Sequence, residues 1–276
     1  MGRLSIESRQ GTIARYIQLM PMSIRITSFP LSSPGLTREA RSVIGCSLGL
    51  AVAAAPVPVI GGALGGWAAL SGVLLFTGLL IAVKRGLVAY HPHPRFGMAN
   101  RITLVRAGIS CLIAARSIDP DPLGAPERWL LAAIAVAALL LDGADGWAAR
   151  RQQLTSAFGA RFDMEVDAFA ILVLATTVAK VDAVPVWVLA IGAVRYLYLA
   201  AGWIVPLLRR SLPADPFADR RRKTIAVVQS IALVVALSPA TSAGWAAAVC
   251  GSALALLAYS FGADICMLLL SARPHR

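Results

Sequence analysis

Residues 142–167 read DGADGWAARRQQLTSAFGARFDMEVD, and this stretch decides how the chain is organised. Asp142 and Asp145 stand three apart and Asp163 and Asp167 four apart, so on helices each pair shares one face. Apolar runs precede the first pair and follow the second. Carboxylates set in such surroundings are expensive to keep and mark a functional site by default. Two facing helices would present four carboxylates to one cavity, enough oxygens for one or two hard divalent cations. Gly143, Ala144, Gly146, Ala148, Ala149 and Gly159 lie among them, small enough for a phosphate-bearing ligand to approach the backbone. The outline is that of a metal-assisted phosphoryl-transfer site.

Around this stretch the chain is apolar. Of its 276 residues 58% are hydrophobic and 14% charged, and the mean hydropathy is +0.71. Soluble domains carry about 25% charged residues, so the composition is that of an integral membrane protein. With about 20 apolar residues per span, candidate helices run over 102–118, 129–149, 162–181, 186–208, 224–237 and 244–270. Before them, residues 42–84 are apolar across 43–83 and interrupted by Pro56, Pro58, Gly61 and Gly62, which reads as an extra transmembrane hairpin. The expectation is an all-α integral membrane protein of about eight helices, with a six-helix catalytic core over 101–271. Residues 85–100 mix apolar and basic positions and read as an interfacial segment. Residues 1–41, rich in Arg and Ser, read as a cytoplasmic, partly disordered arm; an organelle transit peptide or an overextended start ahead of Met20 or Met22 also fits.

Charge sets the orientation. Lys84 and Arg85, Arg150 and Arg151, Arg209 and Arg210, Arg220 to Lys223, and Arg273 and Arg276 all fall on one side. The opposite loops, DPDPLGAPE, VDAVP and SPATSAG, are poor in Lys and Arg. The positive-inside rule then puts both termini and the aspartates on the cytoplasmic face; the membrane expected is a bacterial inner membrane. The net charge of +12 fits contact with anionic lipid; no soluble basic face exists to track nucleic acid. Cys46, Cys111, Cys250 and Cys266 lie in apolar stretches without metal-ligand spacing and read as small buried hydrophobes. His91 and His93 read as loop residues, and Trp129, Trp187 and Trp203 as interfacial anchors.

The run Asp142-x2-Asp145-Gly146-x2-Ala149-Arg150-x8-Gly159-x3-Asp163-x3-Asp167 resembles the defining motif of the CDP-alcohol phosphatidyltransferases, with every fixed position matching. Asn100, Thr103 and Arg106 in ANRITLVR look like the opening of that family's first core helix. Lys223 and Thr224 in RRRKT look like its basic step at the start of the fifth, without the glycine that many relatives carry before the lysine. The likeness covers about residues 95–270.

The resemblance implies that Asp142, Asp145 and Asp163 hold Mg²⁺ or Mn²⁺, two ions in the fullest case, on the pyrophosphate of a CDP-linked donor. It implies that Asp167 is the general base, with metal contact as well. Donor binding falls to Gly146, Ala149, Arg150 and Gly159, together with Asn100, Thr103 and Arg106. The implied reaction moves a phosphatidyl group from CDP-diacylglycerol to a small polar alcohol and releases CMP; members often form homodimers.

Each assignment has a plainer reading. The aspartates are otherwise helix ends at the interface, or structural partners of Arg150, Arg151 and Arg161. The glycines equally serve close helix packing. Arg195 reads as a ligand for an acceptor phosphate or as a salt-bridge partner, and Lys223 as an acceptor contact within a topogenic cluster. These two basic positions favour a phosphorylated acceptor, inositol phosphate or glycerol 3-phosphate. The rivals are a CDP-choline-type transferase acting on diacylglycerol and, from another class, an ion transporter; no internal repeat supports the latter.

Overall fold

The computed structural model describes residues 66–90, 96–152, 157–209 and 215–271. Among them are seven α-helices and no strand. They are α1 (Gly66–Tyr90), α2 (Met98–Ile118), α3 (Ala125–Gln152), α4 (Ala157–Lys180), α5 (Leu189–Ile204), α6 (Pro216–Leu237) and α7 (Ala243–Ser271). Single 3₁₀ turns at Val186–Val188 and Pro206–Arg209 flank α5. The arm at 1–41, the first half of the expected hairpin, Cys46, His91 and His93 lie outside the described residues. Met98–Ile118, Val186–Ile204 and Ala243–Leu270 are long and apolar enough to cross a membrane.

Prolines end three of the helices. Asp119, Val205 and Ser238 each precede a proline and adopt extended backbone, with ψ of 133, 100 and 131°. The proline ring disfavours helical backbone in the residue before it, so α2, α5 and α6 stop there. Helix starts depart from the hydropathy reading. Asp215 caps α6 by accepting from the Phe217 amide at 2.9 Å, and Pro216 occupies the first helical position. The helix therefore begins eight residues ahead of the expected 224 and takes in Arg220 to Lys223. Similarly, Lys84 and Arg85 lie inside α1, and Arg150 and Arg151 inside α3. Local capping sets the start of α6; an apolar window locates only the middle of a helix.

Contacts fix an up-and-down order. Arg106 and Ser117 of α2 meet Asp163 and Thr177 of α4, so those two helices run parallel. Arg195 of α5 meets Glu165 of α4, while Cβ built on Gly192 would lie 2.4 Å from Leu172 Cα, giving an antiparallel pair at very close approach. Arg221 meets Asp264, and Cys250 meets Ala232, setting α7 antiparallel to α6. One apolar core runs through α2, α3, α4, α6 and α7 around Leu131, Val178, Leu233 and Cys250. A second, containing Phe76, Leu80, Phe96, Leu104, Phe162 and Val166, packs α1 onto α2 and α4. Cys111 and Cys250 are buried as expected, whereas Cys266 is exposed because it faces away from α6.

Candidate active site

Arg106 sits two turns into α2 and is only 5% exposed. Its guanidinium reaches Asp142 of α3 at 2.7 Å and Asp163 of α4 at 2.8 Å, and it also pairs with Asp167. Asp163 and Asp167 project together because four residues return the α4 surface to one face; Gly159, a further turn back, lies on the same stripe and is half-buried. The three carboxylates remain about a third exposed, at 29, 38 and 33% of their side chains. A buried cation thus lies beneath an accessible carboxylate rim.

Three carboxylates share this one guanidinium, and carboxylate oxygens are the donors that a hard divalent cation takes. One oxygen from each of Asp142, Asp163 and Asp167 lies within 4.8 Å of the others. Oxygen ligands on opposite sides of a Mg²⁺ ion stand about 4 Å apart. Small side-chain adjustments therefore suffice, and the hard-oxygen donor set fits such an ion. Asp145, Gly146, Ala149 and Arg150 continue α3 past Asp142, and their side chains lie outside the described residues.

The other residues singled out from sequence divide into two groups. Asn100 and Thr103 precede Arg106 at three-residue spacing and are buried with it. Asn100 donates to the Phe96 carbonyl just ahead of α2 at 2.6 Å, and Thr103 donates to that of Ala99 within the helix at 3.1 Å. Arg195 is farther off. Its partner, at 2.9 Å, is Glu165, two positions from both Asp163 and Asp167 and so on another side of α4. The buried Nε of Arg195 makes no hydrogen bond to the described residues. Lys223 is exposed, while its neighbours Arg221 and Arg222 converge on Asp264 of α7.

From sequence, Arg106 was open to a donor contact, an acceptor phosphate or a salt bridge, and the structure shows it paired with the three carboxylates. Sequence reasoning passed over Glu165, Asp264 and Gln229. An arginine within an apolar helix was the available signal for Arg106, since such a group pairs with an anion inside the bundle. Nothing local marked the other three.

A family model described as CDP-alcohol phosphatidyltransferase matches residues 96–259, from Phe96 just ahead of α2 to Tyr259 within α7. That span exceeds half of the chain, and the protein belongs to this family, whose members are transferases of phospholipid biosynthesis. It is accordingly an enzyme transferring a phosphatidyl group from a CDP-linked alcohol to an acceptor alcohol, in a family that generally uses a divalent metal. No curated protein and no solved structure matches the chain. Both α1 and Asp264 lie outside the matched span.

Proposed function

We propose that the protein moves the phosphatidyl group of CDP-diacylglycerol to a small phosphorylated alcohol such as glycerol 3-phosphate or inositol phosphate, releasing CMP. The observation that carries this is the convergence of Asp142, Asp163 and Asp167 on the Arg106 guanidinium, in a family defined by CDP-alcohol chemistry. Asp142, Asp145, Asp163 and Asp167 hold Mg²⁺ or Mn²⁺, which neutralises and orients the donor pyrophosphate when bound. Arg106 is the counter-charge that keeps the carboxylates converged until the donor arrives, and its N–H groups then face the phosphates. Gly146, Ala149, Arg150 and Gly159 line the nucleotide side, and Asn100 and Thr103 brace the α2 face that carries Arg106.

Asp167 takes the proton from the acceptor hydroxyl as its oxygen attacks the phosphatidyl phosphorus and the bond to CMP breaks. Such a positioned base is worth about 10²–10⁴-fold. Arg195, with an N–H to offer, and the exposed Lys223 guide the phosphate of the acceptor. In this reading residues 101–271 form a six-helix catalytic core and 42–84 a preceding hairpin. The arm at 1–41 and the site face the cytoplasm, and 85–100 lie at the interface. The test is CMP release by purified protein from CDP-diacylglycerol with Mg²⁺ or Mn²⁺, each acceptor offered separately, beside Asp167→Asn. Release with one acceptor, lost in the variant, supports the reading. Turnover only from CDP-choline with diacylglycerol would overturn the choice of donor.

A further inference from the structure

Below the carboxylate rim, the interior face of α6 carries a polar side chain with no partner. Gln229 is 4% exposed, and its amide nitrogen makes no hydrogen bond to any described residue. An N–H removed from water without a partner is destabilising, and native structures rarely keep one without use. Its position is set by the helix repeat. Ile225, Gln229, Ala232, Leu233 and Ala236 are buried on one face of α6, whereas Val227, Ile231 and Val235 are exposed on the other. Gln229 lies at the middle of the inward face.

The central core includes Leu233, one turn further along α6. It also includes Ala114 of α2 and Ile171 of α4. One turn from each toward the carboxylate end, about 5 Å, stand Ser110, Asp167 and Gln229. Ser110 is already bonded to the Arg106 carbonyl at 3.0 Å. Gln229 therefore lies on the inward face of α6 below the rim, on a helix packed against both carboxylate-bearing helices.

We infer that Gln229 donates a hydrogen bond to a second, non-reacting hydroxyl of the acceptor and so selects polyhydric alcohols. The inference rests on the proposed function, because Asp167 marks where the reacting hydroxyl must come. The oxygens next to that hydroxyl then reach below the rim, toward the inward face of α6. A neutral N–H in an apolar wall matches a hydroxyl oxygen; the charged phosphates belong with the cations of the rim. A site built to hydrogen-bond a hydroxyl rejects the analogue that lacks it.

The experiment compares glycerol 3-phosphate with 3-hydroxypropyl phosphate, which lacks only the central hydroxyl, and inositol phosphate with a monodeoxy-inositol phosphate. Wild type, Gln229→Leu and Gln229→Met are assayed for CMP release at saturating CDP-diacylglycerol. The wild type should prefer the hydroxylated acceptor by a factor on the order of ten to a hundred. In both variants that preference should fall to near unity. The acceptor KM should rise and the donor KM stay unchanged. Neither variant should melt lower, because an unpartnered N–H has been removed. An unchanged preference in an active variant overturns the inference alone, as does wild-type activity confined to acceptors with one hydroxyl. Absence of CMP release from the wild type with every acceptor overturns the underlying reading and the inference with it.

Discussion

The two ends of the helix bundle use the same residue types for opposite purposes. At the far end, Arg116 is buried and holds Glu127 at 3.0 Å together with the carbonyls of Asp121 and Pro122, so the DPDPLGAPE loop wraps around it. Glu127, in the first turn of α3, also accepts from the Gly124 amide at 3.0 Å, as a capping-box glutamate does. Lys180 of α4 donates to the carbonyls of Arg116 and Asp119 that end α2. Arg128 of α3 does the same for Leu237 and Ser238 at the end of α6. There the cations complete helix C-termini whose carbonyls have no partner within the helix. At the Arg106 end one guanidinium is shared by three part-exposed carboxylates. A closed end stabilises the bundle; an end with accessible carboxylates can take a cation.

Substitutions separate the two roles. Asp167→Asn should lower CMP release about 10²–10⁴-fold with helix content intact, whereas Asp119→Asn should leave turnover per folded molecule within about twofold. Comparable losses from the two would break the comparison outright. Next in size, Arg116→Gln strands Glu127 and should lower stability by about 3–5 kcal/mol, read as a shift in the thermal or denaturant midpoint. The surviving folded enzyme should keep its turnover; a selective loss of activity would mean that the far end also serves the reaction.

Chelating divalent cations should stop turnover and lower thermal stability, by about 2.7 kcal/mol for an ion present at a hundred times its Kd. Arg106→Gln should enlarge that stability difference, since it removes the internal counter-charge. No difference between the variant and the wild type would argue that Arg106 and the metal answer different groups. The smallest effect should come from Glu165→Gln. This half-exposed pair with Arg195 is worth about 0.2–1 kcal/mol, so melting should barely move. A rise in acceptor KM without a change in donor KM would link Arg195 to the phosphate of the acceptor.

Much of this was legible along the chain, for reasons that differ from residue to residue. The facing of Asp163 and Asp167 follows from the helix repeat alone, as does the burial of Cys111 and Cys250 from their apolar settings. The ends of α2, α5 and α6 were written by Pro120, Pro206 and Pro239, a purely local rule. The start of α6 was equally local, in Asp215 and Pro216, but a hydropathy window passes over it because the first turns carry four basic residues. Cys266 shows the limit from the other side: an apolar helix packed on one face leaves its remaining residues exposed, and composition does not say which face that is.

The sequence by itself determined the helical class, the family and the spacing of the aspartates, because each depends on the order of neighbours along one chain. Tertiary structure decided which cation the carboxylates share. Arg106 stands 36 residues before Asp142 and 57 before Asp163, and only the parallel packing of α2 on α4 brings them within hydrogen-bond reach. The same holds for Gln229, an ordinary polar residue in an apolar helix until packing seals it from water one turn above Leu233. Spacing along a helix fixes a face; what that face meets depends on the neighbouring helices.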